Sequence, residues 1–251
     1  MSLLSFQQER LIFFPQSLPV SHTFSFQQEF KEIYIPTKDG IKLHGLLFKA
    51  EAPKGLVFYL HGNAGSVDSW GGIAPTYTDL GYDIFILDYR GFGKSEGHIS
   101  SEKQFFEDVQ TAYSHLTSLY PEEQLIVAGY SIGTGPAAML AATNNPGLLI
   151  LQAPYYSLGD LMHKLYPFVP AFLLQYKFET YRYLEKTKAP VVLFHGKQDE
   201  IIYYGSSEKL QKHLKPDDKI MLLNGQGHNG MNDNPKYKEE LAHILRTYRN
   251  R

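Results

Sequence analysis

Six short, nearly unbroken apolar runs, at 55–60, 83–87, 125–129, 148–152, 190–194 and 219–223, recur along this 251-residue chain. Each has the length of one strand and is too continuous to leave a face in water, because a half-wetted strand alternates apolar with polar residues. Segments of helical character separate them. In 101–119, Phe105, Val109, Ala112, Leu116 and Leu119 fall close to a helical repeat, and Ser101 with Gln104 has the spacing of a capping box. Strand and helix in alternation predict the α/β class, a mostly parallel central sheet with helices on both faces.

Upstream, Glu32-Ile33-Tyr34-Ile35 and residues 41–48 flank Lys38-Asp39-Gly40, and Asp-Gly suits the positive φ of a tight hairpin turn. The expected order is an antiparallel N-terminal hairpin followed by six βα repeats. No Pro/Gly/Ser-rich linker divides the chain, so 1–251 reads as a single domain with an irregular segment at 1–30. One interval breaks the rhythm. Residues 156–186 are rich in large apolar side chains, among them Leu161, Leu165, Phe168, Phe172 and Tyr181, with Pro167 and Pro170 between them. A small helical cap over the carboxyl edge of the sheet accounts for that length and composition; helices packed on the core are the alternative.

The 43% hydrophobic and 20% charged composition supports a substantial core. A net charge of −2 without a basic block argues against a nucleic-acid partner. The chain has no cysteine, which excludes disulfides, a thiol nucleophile and thiolate metal sites. No His-Glu-x-x-His spacing suggests a metal. The run Leu11-Ile12-Phe13-Phe14 is too short to span a bilayer, so the chain as written is expected to be soluble, with membrane association left open.

Chemistry enters through Gly129-Tyr130-Ser131-Ile132-Gly133, which follows the run Leu125-Ile126-Val127-Ala128 and precedes a small-residue stretch. A serine at a sharp strand-to-helix turn has its hydroxyl exposed, and flanking glycines let strand and helix approach. The pattern alone decides nothing, because Gly93-Lys94-Ser95-Glu96-Gly97 matches it too. Ser95 lies well past its apolar run among charged residues and reads as part of a solvated loop, so Ser131 is the preferred nucleophile.

A serine hydroxyl needs a base, and the base needs an orienting acid. In a parallel sheet these belong on loops after the strands' carboxyl ends. His228, closing Asn224-Gly225-Gln226-Gly227 after the last run, is the base candidate. Asp199, in His195-Gly196-Lys197-Gln198-Asp199, is the preferred acid, with Glu200 and Asp160 as competitors. A base must be neutral, so turnover is expected to fall as the medium is acidified below about pH 7. Oxyanion donors are expected from the Ile132 N–H, at the start of a helix, and from the Asn63 N–H in His61-Gly62-Asn63-Ala64-Gly65-Ser66. His61 is read as a brace for that loop.

Across residues 31–249 these motifs, with Leu87-Asp88-Tyr89-Arg90-Gly91-Phe92-Gly93-Lys94-Ser95, resemble the α/β-hydrolase superfamily. They are most similar to its membrane-associated abhydrolase-domain serine hydrolases. The resemblance implies ester, thioester or sometimes amide hydrolysis without a cofactor, and a structural role for 88–95. The expected mechanism passes through an acyl-enzyme, and the aromatic cap suggests a small-molecule substrate with an apolar acyl group. Several such proteins carry an N-terminal membrane anchor, which this sequence does not show. Two rivals fail on their residues. Gly133-Thr134-Gly135-Pro136-Ala137-Ala138 fits a dinucleotide fingerprint, but Pro136 removes a backbone donor and no ribose-binding acid follows Gln152. Gly93-Lys94-Ser95 would need glycine at Asp88 to be a phosphate loop. Peptidase activity and a non-catalytic binding role of the same fold remain the alternatives.

Overall fold

Each of the six apolar runs becomes a strand. The computed structural model describes residues 8–165 and 174–248. Its strands are β1 (Phe14–Pro15), β2 (Phe30–Pro36), β3 (Lys42–Phe48), β4 (Leu56–Leu60), β5 (Ala64–Gly65), β6 (Asp83–Asp88), β7 (Leu125–Tyr130), β8 (Leu148–Gln152), β9 (Val191–Gly196) and β10 (Lys219–Leu223). The helices are α1 (Gln8–Ile12), α2 (Val67–Trp70), α3 (Pro75–Thr78), α4 (Glu102–Thr117), α5 (Thr134–Thr143), α6 (Leu158–Leu165), α7 (Thr180–Leu184), α8 (Gly205–Leu210) and α9 (Pro235–Thr247).

Eight strands form one sheet in the order β10-β9-β8-β7-β4-β6-β3-β2. Only β3 opposes its neighbours, pairing antiparallel with β2 and β6. The hairpin turns at Gly40, whose φ of 84° is the left-handed conformation that Asp-Gly was read to provide. Strand periodicity divides the core between the two faces. On β7, Leu125 and Val127 join the cluster with α4 and α5, while Ile126, Ala128 and Tyr130 join the cluster with α9. Burying each such aliphatic side chain contributes about 1.5–3 kcal/mol, which explains why the central strands are apolar throughout.

Three local expectations need correction. Ser101 caps α4 by accepting from the Gln104 N–H at 3.1 Å, but Gln104 returns its bond to the Ser100 N–H, so the box is skewed by one residue. The helix ends at Thr117, which leaves Leu119 outside the apolar stripe and 53% exposed. The N-terminal segment is not wholly irregular. After α1, strand β1 pairs in parallel with β5 in a separate two-stranded sheet.

In the 156–186 interval, Leu158, Leu161, Tyr176, Phe178 and Leu184 are buried in the α4/α5 core cluster. The expected apolar residues Phe168 and Phe172, with Pro167 and Pro170, lie outside the described residues.

Candidate active site

Ser131 stands where β7 turns into α5, and its backbone pays for that position. Its φ is 54°, a left-handed conformation that costs a non-glycine residue about 1–3 kcal/mol. The flanking glycines are required by contact. A Cβ on Gly129 would stand 2.4 Å from the Gly133 carbonyl oxygen, and one on Gly133 would stand 2.0 Å from that of Leu60. Thr134 Oγ1 donates to the Ser131 carbonyl at 2.6 Å and closes the turn.

His228 reaches this apex from the far end of the chain. Its Nε2 lies 3.1 Å from Ser131 Oγ and its Nδ1 2.8 Å from Asp199 Oδ2. A carboxylate only accepts, so Nδ1 carries the proton and the bare Nε2 faces the serine hydroxyl. The loop holding His228 is tied down on several sides. Tyr130 OH donates to the His228 carbonyl, and Gln226 Nε2 donates to the Asn229 carbonyl at 2.7 Å. Asn232 lies between Gln152, at 3.0 Å, and Tyr59, at 3.3 Å.

The three acid candidates now separate. Asp160 accepts from Tyr203 OH at 2.8 Å and pairs with Lys209 at 2.5 Å, and neither bond involves His228. Glu200 accepts from the His228 backbone N–H at 3.2 Å and so steadies the loop, not the ring. Asp199 alone of the three meets the imidazole. Its Oδ1 accepts from the N–H groups of Ile201, at 2.9 Å, and Ile202, at 2.7 Å. Burial works to raise its pKa, but hydrogen bonds from His195, from His228 and from the Ile202 N–H outweigh burial and hold the carboxyl well below the usual carboxylate range.

His195 is the participant that sequence reasoning left without a role. Fully buried, it presents Nε2 to the Ile202 carbonyl at 2.7 Å and to Asp199 Oδ2 at 3.3 Å, while Ser207 Oγ meets Nδ1 at 2.7 Å. Both groups at Nε2 are acceptors, so Nε2 carries the proton and Asp199 takes hydrogen bonds from two imidazoles. The available signal was the four-residue spacing of His195 and Asp199 at a strand's end.

The loop after β4 packs against the elbow. A Cβ on Gly62 would lie 3.8 Å from Ser131 Cβ. His61 is buried beside the rings of Tyr89, Phe92 and Trp70, with Nδ1 2.7 Å from the Gly62 carbonyl oxygen. Burial pushes its pKa below the ordinary histidine value despite the nearby Asp88 carboxylate. This is the bracing position expected of it. Asn63 is half-buried in the same loop, and Ile132 is buried one residue beyond Ser131.

Ser95 is not in a solvated loop, as was expected. It is 7% exposed, donates to the Asp88 carbonyl at 2.7 Å and accepts from the His44 N–H at 2.7 Å. Both hydroxyl bonds join scaffold backbone groups, and neither involves His228.

Residues 51–182 match the family model described as Hydrolase_4, serine aminopeptidase S33. The chain belongs to this α/β-hydrolase family. The chain is 30% identical over 230 residues to an uncharacterized protein of Mycobacterium tuberculosis, covering 89% of this chain and 81% of that one. It is 28% identical over 215 residues to protein bem46 of Schizosaccharomyces pombe (78% and 72% covered). It is 30% identical over 199 residues to human alpha/beta hydrolase domain-containing protein 17B (75% and 65% covered). Among solved structures, the fold is shared with the esterase Pf2001 of Pyrococcus furiosus at a TM-score of 0.76 and 19% identity, over 95% of this chain and 98% of that one. Est1E of Butyrivibrio proteoclasticus aligns at 0.72 and 17% identity, over 88% and 99%. Among the described residues, no helix is long and apolar enough to cross a membrane.

Proposed function

We propose that this Hydrolase_4 protein is a serine hydrolase that cleaves a carboxylic ester or thioester through a covalent acyl-enzyme. The observation that carries the reading is the unbroken line Asp199–His228–Ser131, with hydrogen bonds of 2.8 and 3.1 Å. Ser131 Oγ bonds to the acyl carbon as its proton passes to His228 Nε2. Asp199 stabilises the imidazolium and holds its tautomer. The tetrahedral oxyanion is met by the N–H groups of Asn63 and Ile132. Collapse expels the alkoxide or thiolate, which takes the proton from His228; water then attacks the acyl-enzyme by the same route in reverse.

The apolar 156–186 segment, read as a cap inserted in a single domain, supports an apolar acyl group. Amide hydrolysis is the second reading, favoured by the aminopeptidase description of the matching family model.

The test pairs labelling with turnover. A fluorophosphonate should label the parent at Ser131 and leave Ser131→Ala unlabelled, with turnover of a p-nitrophenyl ester down roughly 10⁴-fold or more. Ser95→Ala should keep its turnover but lose about 1–3 kcal/mol of stability, since it strands a buried N–H. Absence of labelling in the folded parent would return the chain to the binding-protein alternative. Faster cleavage of aminoacyl amides than of short- and long-chain esters would select the peptidase reading.

A further inference from the structure

The segment before the hairpin is more than a tail. Residues 12–16 run beside the loop that carries Asn63. The Phe14 N–H donates to the Asn63 carbonyl at 2.8 Å, and the Gln16 N–H donates to the Gly65 carbonyl at 2.9 Å. The Asn63 side chain answers with its own bond, Nδ2 to the Ile12 carbonyl at 3.1 Å. The strap is itself fastened at both ends. Downstream, Gly93 N donates to the Gln16 carbonyl at 2.9 Å and Leu18 N to the Gly93 carbonyl at 2.7 Å. Upstream, Gln8 Oε1 accepts from the Gln175 N–H at 2.9 Å, and Tyr176 OH donates to Glu9 at 2.8 Å. Phe13 is buried between the rings of Phe105 and Tyr176, at 5.4 and 5.7 Å.

A peptide unit is planar, and its C=O and N–H point in opposite directions. His61 Nδ1, 2.7 Å from the Gly62 carbonyl oxygen, therefore orients the Asn63 N–H on the other side of the same plane. The next plane, whose carbonyl belongs to Asn63, is held by Phe14. Without the strap the second plane loses this bond, and β5 loses the β1 pairing seen among the described residues. A donor aimed at an oxyanion must be fixed before charge develops, since reorienting it during the reaction forfeits its advantage.

The geometry points to the N-terminal strap, through Ile12, Phe14 and Gln16, as a positioning element of the active site that aims the Asn63 N–H. Because its upstream end rests on Gln175 and Tyr176, the strap also links that donor to the 156–186 interval. This inference rests on the serine-hydrolase reading.

Two single substitutions in the full chain test it. Asn63→Ala keeps the backbone donor but removes the bond to Ile12, and Phe14→Pro removes the N–H that pins the second plane. Each should lower kcat by about 10–10²-fold with KM within about two-fold, because the lost interaction acts on the transition state. Labelling by a fluorophosphonate, whose phosphoryl oxygen takes the oxyanion's place, should slow by a similar factor. Val20→Ala, at an exposed position beyond the strap, should match the parent. Should Phe14→Pro fail to fold, the half-buried Asn63→Ala carries the test. Parental kcat and labelling rate in a folded Asn63→Ala overturn the positioning role and leave the hydrolase reading intact. Failure of the parent itself to label overturns that reading first.

Discussion

Replacing Gly133 by alanine adds one methyl group at the point where elbow and oxyanion loop meet. An ideal Cβ there stands 2.0 Å from the Leu60 carbonyl oxygen and 2.8 Å from that of His61. Real Cβ atoms keep about 3.0 Å, so something must retreat by about 1 Å (3.0 − 2.0). Nothing there is a flexible side-chain end. Leu60 is paired in register with Gly129 at the centre of the sheet, and His61 begins the loop that carries Asn63. Overpacking of this kind costs about 1–3 kcal/mol, and for a domain this size each kcal/mol lowers the melting temperature by roughly 2–4 °C. A 1 Å displacement of catalytic groups costs on the order of 10²-fold in rate. Gly133→Ala should therefore melt several degrees early and turn over a p-nitrophenyl ester about 10²-fold more slowly. The comparison is Gly72→Ala, where a Cβ meets nothing within 4 Å; at such a site alanine stabilises by about 0.4–1 kcal/mol. Differential scanning fluorimetry with initial-rate kinetics reads both. A Gly133→Ala protein that melts with the parent and turns over within two-fold of it would refute the steric account of the motif.

Two further outcomes follow from titrating groups. Asp199 is held below the usual carboxylate range, so its ionised form contributes stability that is present above about pH 4 and lost as pH falls through the lower folded value. His195→Ala removes one of its donors, so Asp199 should rise and the acid-unfolding midpoint followed by circular dichroism should move to higher pH; an unmoved midpoint would remove His195 from the network. At the other extreme, burial raises Tyr59, Tyr77, Tyr89 and Tyr155 well above the ordinary tyrosine value. Their stability is fully present below about pH 10 and lost above it, so tyrosinate absorbance should rise together with loss of circular dichroism, not ahead of it.

Legibility followed locality. The six strands were readable because a doubly buried strand is written as a continuous apolar run, and the hairpin because Asp39-Gly40 carries its own backbone preference. Ser131 and His228 were readable because their loops directly follow such runs. Asp199 was preferred for its place just after the run 190–194, but its neighbour Glu200 shares that place, and the two separate only by what they meet after folding: the His228 ring or the His228 backbone. Ser95 was misjudged on exposure for the same reason. The backbone of His44 that buries it is 51 residues away. The β1–β5 pairing escaped notice because two residues carry no periodicity, and its hydrogen bonds are formed by backbone groups that every sequence contains.

The proposed nucleophile and base are unequally supported by the sheet. Ser131 extends from β7, buried along its length and paired on both sides, whereas His228 follows β10, which among the described residues is an edge strand paired with β9 and mostly half-buried. Opening free energies vary across a protein, and outer elements release first. Detachment of β10 would withdraw the base while the remaining seven strands stay assembled. On warming, turnover should therefore fail at a lower temperature than the fold, and a population can be chemically silent while it is still structurally intact.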